Sequence, residues 1–363
     1  MPRVLGIDPG TLSIDVCGLD QGRVFLDESV PTTRADAGDA LIALIERAGA
    51  VNLVLGPSGY GLPLVPIEEV RERDLALAFL PSQSGSAGIG GLRALIRRLR
   101  DAGLPVVFAP GVIHLPTVPS HRKINRIDVG TADKVCAAAL AIHDQAERLG
   151  VAPDATALIL VELGGAFTAV LAIERGQIID GVGGSSGPLG YRAGGAVDGE
   201  VACLLGGFEK GVVFSGGVAD IAGRPELLPE VFAERMDDEA IRARTAFIEG
   251  IVKAVAAELT LLGRTADILV SGRLSRIPGF YEPVASALAR LAPVRRVASI
   301  ARHAKEAAQG AALLADGLAG GEHAPLVHAL RLRDAAGTVL DHLYVKGAAE
   351  ARERLLSNRL EGP

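Results

Sequence analysis

The sequence has no tryptophan, and aromatic residues make up only 4% of its 363 positions. Its three cysteines, Cys17, Cys136 and Cys203, lie far apart, and no Cys-x-x-Cys pair occurs. This spacing argues against a disulfide framework and against a zinc site. We expect all three to be small buried residues, as free cysteines usually are.

The sequence also lacks an excess of basic residues and any long apolar run. Its formal net charge of −6 argues against a nucleic-acid partner, because binding to phosphate backbones depends on Lys and Arg. No apolar run approaches the roughly 18 residues of a membrane span, and Asp8 comes too early for a signal peptide. We expect a cytoplasmic protein with a small-molecule ligand and no membrane partner.

The composition is otherwise that of a soluble globular chain, with 49% hydrophobic and 22% charged residues. A chain of 363 residues is longer than one usual domain, so two domains are expected. The 45 glycines predict many tight turns.

One stretch near the N-terminus, residues 4–24, recurs without a gap 154 residues later as 158–178. The equivalent residues are Asp8 and Glu162, Gly10 and Gly164, Val16 and Val170, Asp20 and Glu174, and Gly22 and Gly176. Each copy shows an apolar strand ending in an acid, a glycine turn and two further strands. We predict two antiparallel meanders, each with a turn whose backbone N–H groups face outward toward phosphate.

After each meander the pattern alternates between helix and strand, which indicates an α/β fold. Helical periodicity is found at 36–49, 90–102, 131–149, 238–262, 284–291 and 304–319, and strand patterns at 51–55, 105–109 and 267–270. These patterns predict a first half at 1–150, a second at 151–320 and an appended helix and hairpin at 321–363.

At this point the sequence resembles the superfamily of acetate and sugar kinases, heat-shock chaperones and actin. Residues 7–11, Ile-Asp-Pro-Gly-Thr, resemble its first phosphate loop, and residues 161–165 its second. Residues 269–274 resemble its adenosine loop. The segments 130–134 and 183–200 are similar to the butyrate and acetate kinase branch, in particular to an uncharacterised family of butyrate-kinase-like proteins with a domain of unknown function.

The resemblance implies two homologous ribonuclease H-like, or actin-like ATPase, domains with a central nucleotide cleft. It implies ATP and Mg²⁺ as cofactors, with Asp8 and Glu162 at the metal. The residues implied to bind the nucleotide are Gly10, Thr11, Gly164, Gly165, Ser271, Gly272 and Arg273. Two positions depart from relatives: Glu162 stands where chaperones and actins usually have Asp, and Ala166 where many members have a third glycine.

Phosphoryl transfer requires cations around the transferred group, so the basic segment 121–134 and the glycine-rich loop 183–199 are of interest. Arg122, Lys123 and Arg126 are candidate clamps in the first, and Arg192 is the anion contact in the second. Asp128 and Asp133 are candidate bases for a hydroxyl acceptor, although Asp133 also suits the dipole of a helix that begins there. The proposed catalytic residues are Asp8, Arg126, Asp133, Glu162 and Arg192.

Three functions follow from these motifs. A kinase that transfers the ATP γ-phosphate to a small carboxylate is favoured by the branch resemblance, and a hydroxyl kinase is its variant. A regulatory ATPase without a small acceptor stays open, whereas an electron-transferring activator would need paired cysteines for an iron–sulfur cluster. A Holliday-junction nuclease can also begin with Gly-Ile-Asp-Pro-Gly, but the negative charge disfavours it. A homodimer is possible.

Overall fold

A computed structural model describes residues 2–10, 13–32, 37–56, 59–80, 89–206, 209–264 and 266–357, with the backbone alone described for 89–94. The chain forms two compact units, one of residues 1–139 with 300–363 and one of residues 140–299. Within the described residues, no helix is long and apolar enough to cross a membrane.

The elements follow the predicted order. The strands are β1 (Arg3–Pro9), β2 (Ser13–Asp20), β3 (Arg23–Pro31), β4 (Leu53–Gly56), β5 (Val65–Pro66), β6 (Val106–Phe108), β7 (Ala157–Leu163), β8 (Thr168–Glu174), β9 (Gln177–Val182), β10 (Asp267–Ser271) and β11 (Val294–Arg296). The α-helices are α1 (Ala37–Arg47), α2 (Glu72–Phe79), α3 (Ile89–Asp101), α4 (Ser120–Lys123), α5 (Ala132–Leu149), α6 (Gly199–Leu204), α7 (Val218–Ile221), α8 (Pro229–Ala233), α9 (Asp238–Leu259), α10 (Pro278–Leu288), α11 (Glu306–Leu318), α12 (Ala324–Ala329) and α13 (Ala348–Ser357).

The first unit is built on a sheet with the strand order β3-β2-β1-β4-β6-β5. Strands β1, β2 and β3 are antiparallel, whereas β4 and β6 run parallel to β1. Side chains alternate across β1, so Leu5 and Ile7 enter a core cluster with Leu41 and Ile45 of α1. Gly6 points to the other face, where a Cβ atom would lie 2.2 Å from the backbone N of Ala312. The glycine therefore permits α11 to pack directly on the sheet.

The second unit has the strand order β11-β10-β7-β8-β9, with β10 and β11 parallel to β7. Its core gathers several of the chain's few aromatic residues. Tyr191, Phe232, Phe247 and Phe280 meet with ring centroids 5.7–6.0 Å apart. Such pairs add to the burial of apolar area by about 0.5–1.5 kcal/mol each.

The two meanders have equivalent backbone geometry, as their repeat predicts. Each contains a register shift at the same place, between Gly18 and Leu19 in β2 and between Ala172 and Ile173 in β8. Each closes its second turn with two residues of positive φ: Gln21 (51°) with Gly22 (76°), and Arg175 (54°) with Gly176 (65°). The prediction of two equivalent antiparallel meanders is confirmed.

Several other expectations can be compared with the structure. The helices and strands predicted from periodicity are present, with ends shifted by a few residues. The two compact units differ from the predicted halves, which were divided at 150 and 320. Residues 300–320 belong to the first unit, because α11 packs on its sheet. The prediction of a hairpin at 339–345 is wrong: these residues form turns, and α13 follows. Cys17 and Cys136 are buried as expected, but Cys203 is exposed at the end of α6.

Candidate functional site

The first loop, residues 8–13, connects β1 to β2 in the first unit. Asp8 is 7% exposed and lies directly opposite Asp15 in the β1–β2 register. The Gly10 N–H donates to the Ser13 carbonyl (2.9 Å), so it closes the turn from inside and does not face outward as predicted. Thr11, a predicted nucleotide ligand, lies outside the described residues.

A lysine from a distant part of the sequence lies beside this loop. The Lys305 Nζ is 2.9 Å from the Asp15 Oδ2, which also accepts from the Ser13 Oγ at 2.7 Å. Asp15 is 1% exposed, and its Oδ1 has no hydrogen-bond partner within the described part of the chain. The loop therefore has two buried carboxylates, one of which is paired with a lysine ammonium group.

Burial raises the pKa of Asp8 to about 7. The charge of Lys305 opposes this rise, whereas the charges of Asp133 and Asp15 add to it. A carboxylate that titrates near neutral pH is well suited to receive a cation, because a nearby positive charge stabilises its ionised form. The donor set of carboxylate oxygens is of the type that Mg²⁺ prefers, often through water and with phosphate oxygens.

The start of α5 brings a third carboxylate into the electrostatic surroundings of Asp8. The Asp133 Oδ1 accepts from the Thr131 Oγ1 at 2.5 Å, and its Oδ2 pairs with the Lys134 Nζ at 2.6 Å. Burial would raise the pKa of Asp133, but Lys134 and the hydrogen bond from Thr131 outweigh burial and hold it below its usual value. Asp133 is thus ionised at neutral pH and has both oxygens engaged.

The residues of the basic segment before α5 differ in burial and in their contacts. Lys123 is 7% exposed, and its Nζ donates to the Leu115 carbonyl at 2.9 Å. It stabilises the backbone, so the prediction that Lys123 is a phosphate clamp is not supported by its contacts. Arg126 is half-buried in the turn after α4 and follows Asn125, whose φ is 56°. Asp128 is buried and accepts from the Gly130 N–H at 3.2 Å.

The second loop, residues 162–167, connects β7 to β8 in the second unit. The Gly164 N–H donates to the Phe167 carbonyl at 2.9 Å, the same turn-closing bond that Gly10 makes. Glu162 lies opposite Ala169 in β8 and opposite Ser271 in β10. Gly165 is half-buried beside Gly164.

The predicted adenosine loop passes over the carboxylate of Glu162. Gly272 has a φ of 87°, and a Cβ atom there would lie 2.5 Å from the Leu163 carbonyl oxygen and 2.8 Å from the Glu162 Oε1. Ser271 is 1% exposed, and its Oγ has no hydrogen-bond partner in the described ranges. Arg273 begins a short 3₁₀ helix, and its guanidinium is 3.3 Å from the Glu230 carboxylate.

The glycine-rich loop 183–199 also packs against the second loop. The backbone N–H groups of Arg192 and Ala193 both donate to the Ala166 carbonyl at 3.1 Å. The Arg192 guanidinium donates to the Pro225 carbonyl at 3.0 Å. The loop thus lies at the second phosphate loop, while the Arg192 side chain is directed to the backbone of the same unit.

The structure therefore gathers the predicted residues in two groups. Asp8, Gly10 and Asp133 belong to the first unit, and the backbone of Arg192 joins Glu162, Gly164, Ser271 and Gly272 in the second. Across the described residues, no group of three or more His, Cys, Asp or Glu side chains forms a metal cluster. This is compatible with a metal held mainly by nucleotide phosphates and water.

Two residues of the first group were missed from the sequence. Asp15 could have been found, because an antiparallel turn at Gly10 places it opposite Asp8. Lys305 gave no signal, since it lies at the start of a helix 290 or more residues away from the loop.

A pocket of about 570 Å³ lies in another part of the first unit. Its lining includes Leu62, Arg71, Leu77 and the buried His114, and none of the described lining residues is one predicted for the site. Because phosphate loops are turns lined by backbone, a pocket of this kind need not be where they lie.

Comparisons with known proteins identify a family and a fold. The family model described as "Protein of unknown function (DUF1464)" matches residues 6–345. No curated protein matches the sequence.

Three solved structures show the fold. A propionate kinase from Francisella tularensis is similar with a TM-score of 0.61 and 14% identity, covering 85% of this chain and 99% of that one. An acetate kinase from Entamoeba histolytica (TM-score 0.56, 12% identity) covers 80% of this chain and 87% of its own. For an acetate kinase from Porphyromonas gingivalis (TM-score 0.55, 16% identity), the similarity covers 80% of this chain and 88% of that one. The predicted actin-like ATPase fold class is confirmed, and these identities support no statement beyond the fold.

Proposed function

The chain belongs to the family described as "Protein of unknown function (DUF1464)", and from this premise we propose that it is an ATP-dependent phosphotransferase. Its reaction transfers the γ-phosphate of ATP to a small carboxylate. The observation that carries the proposal is the repeated acid-and-glycine turn: Asp8 with Gly10 and Glu162 with Gly164 have the same register and the same turn-closing hydrogen bond.

Each part of the nucleotide has candidate contacts in this proposal. The turns that contain Gly10 with Thr11 and Gly164 with Gly165 would lie against the phosphates, while the Gly10 and Gly164 N–H groups themselves close the turns. Gly272, with Ser271 and Arg273, lies along the adenosine, and its lack of a side chain lets the backbone pass close to Glu162. Asp8 and Glu162 would hold Mg²⁺ through water, and the metal would neutralise charge on the phosphates.

The state of Asp133 favours a carboxylate acceptor over a hydroxyl. A hydroxyl acceptor needs a general base to take its proton, and both oxygens of Asp133 are engaged by Thr131 and Lys134. A carboxylate needs no base. It needs cations where two anions meet, and the first unit offers Arg126 and Lys134 for this role.

The proposed step is an in-line displacement without a covalent enzyme intermediate. A carboxylate oxygen of the acceptor forms a bond to the γ-phosphorus, while the bond from that phosphorus to the β,γ-bridging oxygen breaks. The products are an acyl phosphate and ADP, and no proton is taken from the acceptor. Positioning and electrostatic stabilisation supply the catalysis, as is usual for phosphoryl transfer.

Trapping with hydroxylamine tests this proposal. The purified protein is incubated with Mg²⁺-ATP and a panel of short carboxylic acids, and acyl hydroxamate is measured together with ADP. We expect hydroxamate to form in proportion to ADP with at least one acid. A phosphorylated product that hydroxylamine cannot trap would identify a hydroxyl kinase, and ADP with inorganic phosphate alone would identify an ATPase. Either result contradicts the carboxylate assignment.

A further inference from the structure

Lys305 occupies a position at the first loop that the proposed function does not by itself assign. Its Nζ is 2.9 Å from the Asp15 Oδ2 and 3.5 Å from the Ser13 carbonyl oxygen. A Cβ atom built on Gly10 would lie 2.6 Å from the same Nζ. The ammonium group therefore lies against the turn itself, where phosphate oxygens would have to approach.

The residues before Lys305 are held by a single carboxylate from β3. Asp27 accepts hydrogen bonds from the backbone N–H groups of Arg302 (2.7 Å), His303 (3.0 Å) and Ala304 (2.7 Å). Burial would raise the pKa of Asp27, but these three donors outweigh it and hold the pKa below its usual value. Asp27 is thus ionised at neutral pH and anchors the segment that ends at Lys305.

A buried amide completes the support. Gln309, on the first turns of α11, is fully buried. Its Oε1 accepts from the Ile300 N–H at 2.7 Å, and its Nε2 donates to the Ala304 carbonyl at 2.7 Å. The segment 300–304 is therefore fixed from both sides, so that Lys305 starts from a rigid base and needs to order only its own side chain.

The ion pair with Asp15 holds the Lys305 ammonium group in a position where it could also contact an anion. The Asp15 Oδ1 is buried without a hydrogen-bond partner among the described residues, whereas the Lys305 side chain is 24% exposed. A half-buried lysine on a buried counter-ion can contact a second anion without leaving the first. A side chain held in place before the substrate arrives contributes more to catalysis than a mobile one.

We propose that Lys305 is a further catalytic residue, which contacts the γ-phosphoryl group of ATP, and that Asp27 is the residue that positions it. This inference rests on the proposed function, because it assigns a role within the same reaction. Lys305 would distinguish a triphosphate from a diphosphate at the first loop, and would stabilise the charge of the group in transfer.

The test compares the binding of two nucleotides by calorimetry in Mg²⁺ buffer. The probes are the non-hydrolysable β,γ-imido analogue of ATP, and ADP. For Lys305→Gln, we expect the dissociation constant of the imido analogue to rise by about ten- to a hundredfold, as for loss of one charge-assisted contact, and that of ADP by less than about threefold. The matched control is Lys253→Gln, an exposed lysine in the second unit, which should change neither.

Lys305→Gln leaves Asp15 buried without its cation, so a second variant guards against misfolding. The double variant Asp15→Asn with Lys305→Gln removes both charges and should show the same selective loss. Asp27→Asn keeps the lysine but weakens its anchor, and should weaken binding of the imido analogue by a smaller factor, with a lower kcat and little change for ADP.

The outcomes separate this inference from the proposed function. Wild-type protein that binds neither nucleotide contradicts both. Wild-type protein that binds both, with a Lys305→Gln variant that keeps the wild-type ratio of the two affinities, overturns the role of Lys305 and leaves the phosphotransferase proposal intact. An equal loss for both nucleotides also overturns it, because the γ-phosphate would then not be the group contacted.

Discussion

The first and second loops have the same strand register and the same turn-closing hydrogen bond, but they differ in the groups that lie against their carboxylates. Asp8 has Asp15 opposite it and Lys305 nearby, whereas Glu162 has Ala169 opposite it and the backbone of Gly272 above it. The first loop thus combines buried charges, and the second combines a carboxylate with a closely approaching glycine. The repeat conserved the geometry of the turn and left the chemistry around it free to diverge between the two units.

Under the proposed function, this difference would give the two loops separate tasks. The charges of Lys305 and Asp15 influence the pKa of Asp8, and charges of both signs would suit the group that is transferred. A glycine of positive φ next to a carboxylate suits close approach of a nucleotide to the backbone, where a side chain would intrude. The difference can be tested at the second loop by substituting Gly272 with a residue that has a side chain. At the first loop it can be tested by removing charges.

The largest effect is expected at the second loop. Gly272→Ala places a methyl group 2.5 Å from the Leu163 carbonyl oxygen at a φ of 87°. We expect a loss of about 3–5 kcal/mol in the free energy of unfolding, from backbone strain and steric overlap together. Urea denaturation measures it.

The matched control for Gly272 is Gly150→Ala in the same unit. Gly150 has a φ of 64°, and a Cβ atom there would meet nothing within 4 Å. It should cost only about 1 kcal/mol, the strain of an alanine at positive φ. Equal losses for the two variants would show that the approach of Gly272 to Glu162 has no steric significance.

The next effect concerns the charge of Asp8 without nucleotide or metal. Its pKa in the folded state is raised to about 7, from an ordinary value of 3.8. Between these values the folded protein binds a proton at Asp8 that the unfolded chain does not, so the contribution of Asp8 to stability falls as pH rises from about 4 to about 7. Asp8→Asn should remove this fall and be more stable than wild type at pH 8, by about 2–4 kcal/mol.

Chemical denaturation from pH 4 to 8 measures this dependence. The control is Asp154→Asn, an exposed carboxylate in the second unit, which should leave the profile unchanged. A stability difference between Asp8→Asn and wild type that does not grow as the pH rises from about 4 to about 7 would contradict the raised pKa of Asp8.

The smallest effect is expected at Asp15, which lies opposite Asp8 where the second loop has Ala169 opposite Glu162. The charge of Asp15 helps to raise the pKa of Asp8, so Asp15→Asn should move the pH-dependent loss of stability to lower pH. We expect a displacement of about 0.5–1 pH unit, since Asp15 contributes less than burial does. An NMR titration of the Asp8 carboxyl carbon measures the shift directly, and a displacement to higher pH would contradict the contribution of the Asp15 charge to the pKa of Asp8.

The sequence predicted local features better than contacts between distant segments. Equivalent meanders follow from paired acids and glycines, because hairpin register depends on residues a few positions apart. The pairing of Glu162 with Ser271 was not predicted from the sequence, since a parallel strand can join a sheet from any later segment. Asp27 and the segment 302–304 that it binds are about 275 residues apart, and they meet where α11 packs on Gly6 of the same sheet.

Local errors had local causes. The apolar and polar alternation at 339–345 resembles a strand, yet no strand in the described ranges pairs with this segment, which forms turns and irregular backbone. The exposure of Cys203 reflects its place on α6, a short helix whose Leu204 is 85% exposed. The shared use of Asp8 and Glu162 with one nucleotide stays a prediction, as do Mg²⁺, the acceptor and the homodimer.

The central claim is that both turns bind ATP, and melting in Mg²⁺-ATP tests it most directly. At a nucleotide concentration 100 times the dissociation constant, binding stabilises the folded state by about 2.7 kcal/mol and raises the melting temperature. We expect this rise for wild type and for an Asp154→Ala control, and a much smaller rise for Asp8→Ala and for Glu162→Ala. An unchanged melting temperature for wild type in millimolar Mg²⁺-ATP, with no heat of binding by calorimetry, would contradict the account.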